Sequence, residues 1–258
     1  MTSSTLMPAL SPEQAALVRG NERVDYILRE QRYIIQNPDY FPFSMDAVLL
    51  ADFAPLNKRI HRIMDFCSGG GIIPLLLSAK TQAEIKAIEI QEPIAEMARR
   101  SVQLNGLDEQ IQIMTGDIRQ LTKPIKEFDL ITCNPPYFKL DSSHRLHKNN
   151  CHAIARHEIQ LTLEEWVEKA ALLLKDKGKL VIVYRPNRLD DLLEALLVHH
   201  FAVNRLKFIY PKPDQRANGV LVEAIYRGGR QGVKVEPPII VHQLDNSYSP
   251  QMERIYYG

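Results

Sequence analysis

No apolar stretch of this 258-residue chain approaches the roughly 18 residues that a bilayer-crossing helix needs. The longest, Ile72 to Ala79, reads as a buried helix. Cysteine is scarce too: Cys67, Cys133 and Cys151 lie far apart, with no C-x-x-C pair. An odd count without a secretory segment speaks against a disulfide framework and for a reduced, cytoplasmic protein. Excess charge is also missing, since 32 Lys and Arg face 31 Asp and Glu for a net +1. That balance neither demands nor excludes nucleic acid, because a local basic patch suffices for binding. Internal repeats and long low-complexity tracts are absent, which excludes solenoids. What remains is a length suited to one α/β domain with modest additions and a substantial core.

Residues 1–20, rich in Ser, Pro and Ala, read as a loosely attached leader. A short amphipathic segment follows, so residues 1–30 stand apart from a main domain over 31–230 and an extended tail over 231–258 packed on it. Tyr33 to Gln36 predicts a strand ending in the Asn37-Pro38-Asp39 turn. Ser44 caps a helix from Met45 to Ala51, with Pro55 beyond its end. Strand-helix units run from Ile60 to Asn134. They are followed by a helix near Leu163 to Leu174, a strand Lys179 to Tyr184 and a helix Leu189 to His199, then a closing strand pair, Phe201 to Tyr210 and Gly219 to Tyr226. This succession predicts a doubly wound, mostly parallel seven-stranded sheet with an antiparallel edge.

Three strand ends carry chemistry. The first strand enters Asp65-Phe66-Cys67-Ser68-Gly69-Gly70-Gly71, and a helix with Pro74 in its first turn follows. Glycines let a backbone pass close to a ligand, and a helix N-terminus favours anionic groups such as a carboxylate. Asp65 could take a ligand's ammonium. The second strand ends at Glu89, 18 residues beyond Gly71, where an acid accepts both ribose hydroxyls in nucleotide-binding α/β folds. The third ends in Gly116-Asp117, whose carboxylate could accept from an adenine amino group. Further on, Asn134-Pro135-Pro136-Tyr137 closes the apolar run Phe128 to Cys133. Asn134 and the Pro135 carbonyl can accept the two N–H bonds of a planar amine or amide, and Tyr137 can stack on its face. The plainer alternative is a Pro-rich turn that ends a strand. A dinucleotide-dependent dehydrogenase fits less well, because its third glycine is missing where Pro74 stands.

In order and spacing, this succession resembles the class I methyltransferases that use S-adenosylmethionine, and Asn134 to Tyr137 resembles their amino-methylating branch. Ile34-Ile35-Gln36-Asn37-Pro38, leading to Phe43-Ser44-Met45-Asp46-Ala47-Val48-Leu49-Leu50-Ala51, together with Ala155-Arg156-His157-Glu158, narrows the likeness. From about Glu22 to the C-terminus the chain resembles the bacterial tRNA(Val) adenine N6-methyltransferase family. That resemblance implies methyl transfer to N6 of an adenosine beside the anticodon, with Asn134, Pro135 and Tyr137 catalytic. It places S-adenosylmethionine against Asp65, Gly69, Gly71, Glu89 and Asp117. Cys67 stands where the class usually has its first glycine, and a side chain there restricts the turn. Ser44 and Asp46, at the start of a helix entering the cleft, are candidates for the cofactor's methionine end.

Tyr137, Phe138, Arg145, Lys148 and Arg156 are the substrate-binding candidates, the last four within a His- and Arg-rich stretch, 138–157, that could meet phosphates. The alternative for that stretch is a solvated loop. A zinc site on His144, His147 and Cys151 has no familiar spacing, so no metal is expected. Phe41, Phe43 and Phe138 could line a base pocket, although aromatic residues at such places more often belong to the core. The expected partner is RNA, a tRNA in the family's case, with no membrane and no obligatory protein partner. Two further readings stay open: an N-methyltransferase acting on a protein glutamine or an rRNA guanine amine, and a non-catalytic RNA-binding protein retaining the fold. The short N-terminal region argues against the first, and an intact Asn134 to Tyr137 loop against the second.

Overall fold

Five apolar runs form the parallel centre of the sheet: β3 (Arg62–Phe66), β4 (Glu84–Glu89), β5 (Ile111–Thr115), β6 (Phe128–Cys133) and β7 (Leu174–Tyr184). The computed structural model describes residues 7–122, 125–135 and 161–258. Tyr137, Phe138, Arg145, Lys148, Arg156 and the proposed zinc ligands therefore lie outside the described residues. Parallel strands covered on both faces need near-continuous apolar sequence, and Ile63 to Phe66 and Leu180 to Tyr184 are buried without interruption. Antiparallel β9 (Gly219–Tyr226) pairs with β7, and β8 (Phe201–Tyr210) with β9. Two-residue strands β10 (Lys234–Val235) and β11 (Ile239–Ile240) pair with β8. The order β10-β8-β9-β7-β6-β3-β4-β5, with β11 beside β8, reverses between β3 and β6. In open α/β sheets such a reversal leaves a crevice at the carboxyl ends of the strands.

Helices cover both faces. α2 (Met45–Phe53), α3 (Ile72–Ser78) and α4 (Glu92–Leu104) share one apolar cluster with the sheet; α5 (Leu163–Leu173) and α6 (Leu189–Val198) share the other, around the buried Trp166. α2 is apolar nearly all round because it is enclosed, packing on α3, β7, β9 and the C-terminal helix α7 (Pro250–Tyr257). α7 corrects the expectation of a wholly extended tail: Ser249 caps it and Pro250 opens it, a start signal that the preceding Pro237-Pro238 masked.

The N-terminal region also departs from the sequence reading. The amphipathic segment is strand β1 (Arg23–Ile27), paired antiparallel with β2 (Arg32–Gln36). β2 lies against α4, whose side chains satisfy its backbone. Ser101 Oγ accepts from the Ile35 N–H at 3.0 Å, and the Asn105 carboxamide both accepts from the Tyr33 N–H and donates to its carbonyl. The leader is tied down from residue 7 on. After the short helix α1 (Pro12–Ala15), Arg100 of α4 donates to the Leu17 carbonyl at 2.6 Å and forms a two-pronged pair with Glu22 at 2.6 and 2.7 Å. Both side chains are 7% exposed. Removing one partner of a buried pair strands the other charge, so Arg100→Ala is expected to cost about 3–5 kcal/mol in urea unfolding and to open residues 17–22 to limited proteolysis. A loss below about 1 kcal/mol, the worth of an exposed pair, would show that the clamp does not hold the segment.

Candidate functional site

At the reversal point a cleft of about 490 Å³ opens between the ends of β3, β4 and β6. Parallel pairing aligns Phe66 with Cys133, so Cys67 and Asn134 leave adjacent strand ends side by side. Cys67, Gly69 and Gly71 all adopt left-handed backbone, with φ of 54°, 53° and 82°. Glycine does so freely. For Cys67 it costs about 1–2 kcal/mol, and this is the physical content of the departure seen in the sequence. At Gly71 a side chain is disfavoured twice, by the left-handed backbone and by a Cβ that would stand 3.2 Å from the Ala98 Cβ of α4.

Glu89 organises the loop. One carboxylate oxygen accepts from the Gly69 N–H at 2.9 Å and the other from the Gln91 N–H at 3.0 Å, leaving lone pairs on both for a ligand's hydroxyls. Asp117 faces the same cleft, gripped by Arg119 through its backbone N–H at 2.9 Å and its guanidinium at 2.5–3.0 Å. Those hydrogen bonds hold the Asp117 carboxyl below its usual range. On the opposite rim Ser44 caps α2, accepting from the Ala47 N–H at 3.4 Å. Asp46 pairs with Arg185 at 3.2 Å; burial raises its pKa, and the nearby guanidinium partly opposes the rise. Arg185 extends from the end of β7 and also donates to the Asn218 carbonyl at 2.9 Å.

The structure thus brings Ser44, Asp46, Cys67, Gly69, Glu89, Asp117, Asn134 and Pro135 to one cleft. Two predicted residues do not line it. Gly71 sits against α4, and Asp65 is fully buried. The sequence reading put Asp65 in contact with a ligand's ammonium; here it lies buried and off the cleft lining, with one carboxylate oxygen, Oδ2, without a hydrogen-bond partner among the described residues. It accepts from Thr132 Oγ1 at 2.6 Å, and burial pushes its pKa from 3.8 up to about 7. Sequence reasoning missed Arg119 and Arg185, lone arginines after strands, and Gln36, whose carboxamide oxygen accepts from the Phe43 N–H at 3.0 Å at the cleft edge. No local pattern marks the two arginines, and Gln36 enters the sequence reading only as a member of the run Ile34 to Pro38.

The family profile described as methyltransferase small domain matches residues 46–208, more than half of the chain. The chain belongs to that family. A Porphyromonas gingivalis protein named tRNA1(Val) (adenine(37)-N6)-methyltransferase is 31% identical over 221 residues, covering 81% of this chain and 85% of the relative. A relative of the same name from Bacteroides thetaiotaomicron is 29% identical over 215 residues, covering 82% and 88%. Among solved structures, a "predicted O-methyltransferase" of Agrobacterium tumefaciens matches with a TM-score of 0.66 at 24% identity, over 82% of this chain and 95% of that one. That likeness shows the fold: a class I methyltransferase sheet, mostly parallel with an antiparallel edge. The methyltransferase assignment and the cleft agree, since open α/β sheets bind ligands in the crevice at the carboxyl ends of the strands where the strand order reverses.

Asp65 gives this site a measurable signature. Its folded-state pKa lies above the ordinary value, so the folded protein holds a proton that the unfolded chain has released. The stability this contributes is present below about 3.8 and is lost as pH rises toward about 7. In urea denaturation across that window, Asp65→Asn should remove a downward slope that the wild type shows. Parallel pH profiles for the two proteins would mean that Asp65 titrates normally.

Proposed function

We propose that this methyltransferase transfers the methyl group of S-adenosylmethionine to N6 of an adenosine in RNA, the acceptor being a tRNA near its anticodon. The observation that carries the reading is the side-by-side exit of the Cys67–Gly70 loop and the Asn134-Pro135 turn from paired strands β3 and β6. The relatives' names specify the tRNA and the position.

The residues present fit such a cofactor. Asp65 Oδ2 and Ser68 Oγ are buried without a hydrogen-bond partner among the described residues, and Ser68 lines the cleft. Unpaired buried acceptors are costly, and a methionyl ammonium near them relieves that cost. Glu89 would take the ribose hydroxyls. Asp117 would take the adenine amine, between the apolar walls of Ile88 and Ile118. When bound, the cofactor supplies a methyl group already activated by its sulfonium.

The chain's own task is then to aim a poor nucleophile. The lone pair of an adenine amine is delocalised into the ring. Asn134 Oδ1 and the Pro135 carbonyl, accepting its two N–H bonds, favour pyramidal nitrogen and turn the lone pair out of the ring plane. Such positioning supplies on the order of 7–11 kcal/mol when the geometry is well fixed. The proton leaves only after nitrogen has become positive, so no side chain is assigned as a base. Tyr137, two residues beyond Pro135 in the sequence, is assigned to stacking on the base, and Arg145, Lys148 and Arg156 to the RNA backbone.

Two measurements test this. Incubation with radiolabelled cofactor and separate tRNA, rRNA and protein pools should label tRNA, and label in protein alone would favour a glutamine acceptor. Asn134→Ala should lower kcat on the order of 10²- to 10³-fold, as loss of one aimed hydrogen-bonding group does, with cofactor affinity by calorimetry near wild type. Near-normal turnover by that variant removes Asn134 from the mechanism.

A further inference from the structure

The loop from Asn37 to Phe43 crosses from β2 to α2 along the edge of the cleft, and it is built stiffly. The Asn37 side chain accepts from the Asp39 N–H at 2.9 Å, and the Asn37 carbonyl from the Tyr40 N–H at 3.1 Å. Pro38 and Pro42 fix two φ angles. Gln36, itself held by Asp25, secures the far end through the Phe43 N–H at 3.0 Å.

Three aromatic residues ride on this loop, and their fates differ. Tyr40 packs against the cluster of Ile35, Met97 and Leu104, and Phe43 against the main core. Phe41, between them, joins no core: it is 67% exposed while lining the same cleft as Asn134 and Pro135. Single exposed apolar residues are ordinary on loops. A phenyl ring held on a braced loop at the lip of a catalytic cleft is different, because it offers a flat apolar face whose ordering cost was met in folding. The sequence reading favoured a core role for Phe41, and the structure assigns that role to its two neighbours.

We infer that Phe41 is a stacking platform for a nucleobase of the RNA substrate as it enters the cleft. This rests on the proposed function above. In the proposed reading the donor's own adenosine is met by Glu89 at its ribose and by Asp117, Ile88 and Ile118 at its adenine, all lining the same cleft, so the Phe41 face is left for the acceptor strand. Base-aromatic stacking is tolerant of sequence and strong enough to contribute visibly to affinity for an unstacked strand. Gln36 serves as a positioning residue for the platform.

The test uses the full chain with Phe41→Ala, Phe41→Leu and Phe41→Trp, measuring KM for tRNA transcript, cofactor affinity and thermal midpoint. Phe41→Ala should raise the tRNA KM roughly 5- to 100-fold, leaving cofactor affinity and the midpoint unchanged because the ring is exposed and joins no core. Phe41→Trp should restore the KM, and Phe41→Leu, apolar but not planar, should not. Full activity of Phe41→Leu would reduce the contact to general apolar burial and overturn stacking. Loss of cofactor affinity in Phe41→Ala, with tRNA KM unchanged, would show that the ring covers the donor instead. A wild-type enzyme that methylates tRNA beside a Phe41→Ala variant of equal KM removes this inference alone; a wild type that labels no RNA removes the proposed function and this inference with it.

Discussion

One hydrogen bond in the middle of the sheet sets the positions on which the site depends. Thr132 of β6 donates to Asp65 of β3 at 2.6 Å, and these two residues are register partners. Both are fully buried. A slip of one residue between the strands would bury an unpaired carboxylate and turn every side chain to the opposite face, so the pair strongly disfavours alternative registers. Correct register brings Cys67 and Asn134 out at neighbouring positions, and the distance between donor loop and acceptor turn follows from it. The same bond draws the Asp65 pKa down, against burial that draws it up to about 7. A group that fixes the sheet is therefore also one whose pKa burial holds well above the usual carboxylate range.

The strand-end acids were legible because each follows a short run carrying apolar residues, Ile85, Ala87 and Ile88 before Glu89 and Ile111, Ile113 and Met114 before Asp117, where a carboxylate stands out. Glu89 and Asp117 are of this kind, and both face the cleft. Asp65 is too, yet its burial was not legible. Whether a strand-end acid projects into the crevice or stays beneath the loop depends on where the chain first turns left-handed, and at Cys67 the residue type argues against the turn that occurs. The sequence places one strand at Lys179 to Tyr184, and the structure begins it five residues earlier, at Leu174, through Lys175-Asp176-Lys177-Gly178. Its first half pairs through an irregularity, with Phe128 opposite Leu174 and Leu130 opposite Lys179, which no periodicity announces.

Ion pairs hide another part of the site from sequence. Residues joined by tertiary contact, such as Arg185 with Asp46 across 139 positions of chain, leave no local trace. Their effect is to engage the cleft's two described cations, Arg119 and Arg185, with Asp117 and Asp46, while the Glu89 carboxylate accepts from backbone N–H groups. For a polyanionic substrate this sets a condition: affinity drawn from phosphates falls steeply with salt, whereas affinity drawn from stacking does not. With its described rim cations already engaged by carboxylates, the cleft is built to hold a base more by faces and edges than by field.

That division explains why the rim is braced so heavily. The proposed hydrogen bonds to a planar amine need closely fixed acceptors, and Asn134 and Pro135 follow directly on a strand held at the centre of the sheet. The opposite lip lies outside the main sheet and needs its own supports. The Gln36 carboxamide, the Asn37 turn, two prolines and the Ser44 cap provide them in succession from β2 to α2. β2 in turn rests on α4 through Ser101 and Asn105, and the N-terminal segment is clamped to the same helix by Arg100. The lip is thus anchored through α4, the helix that follows Glu89. A displacement of that helix would move Glu89 and the Phe41 lip together, which on the proposed reading keeps donor and acceptor in step.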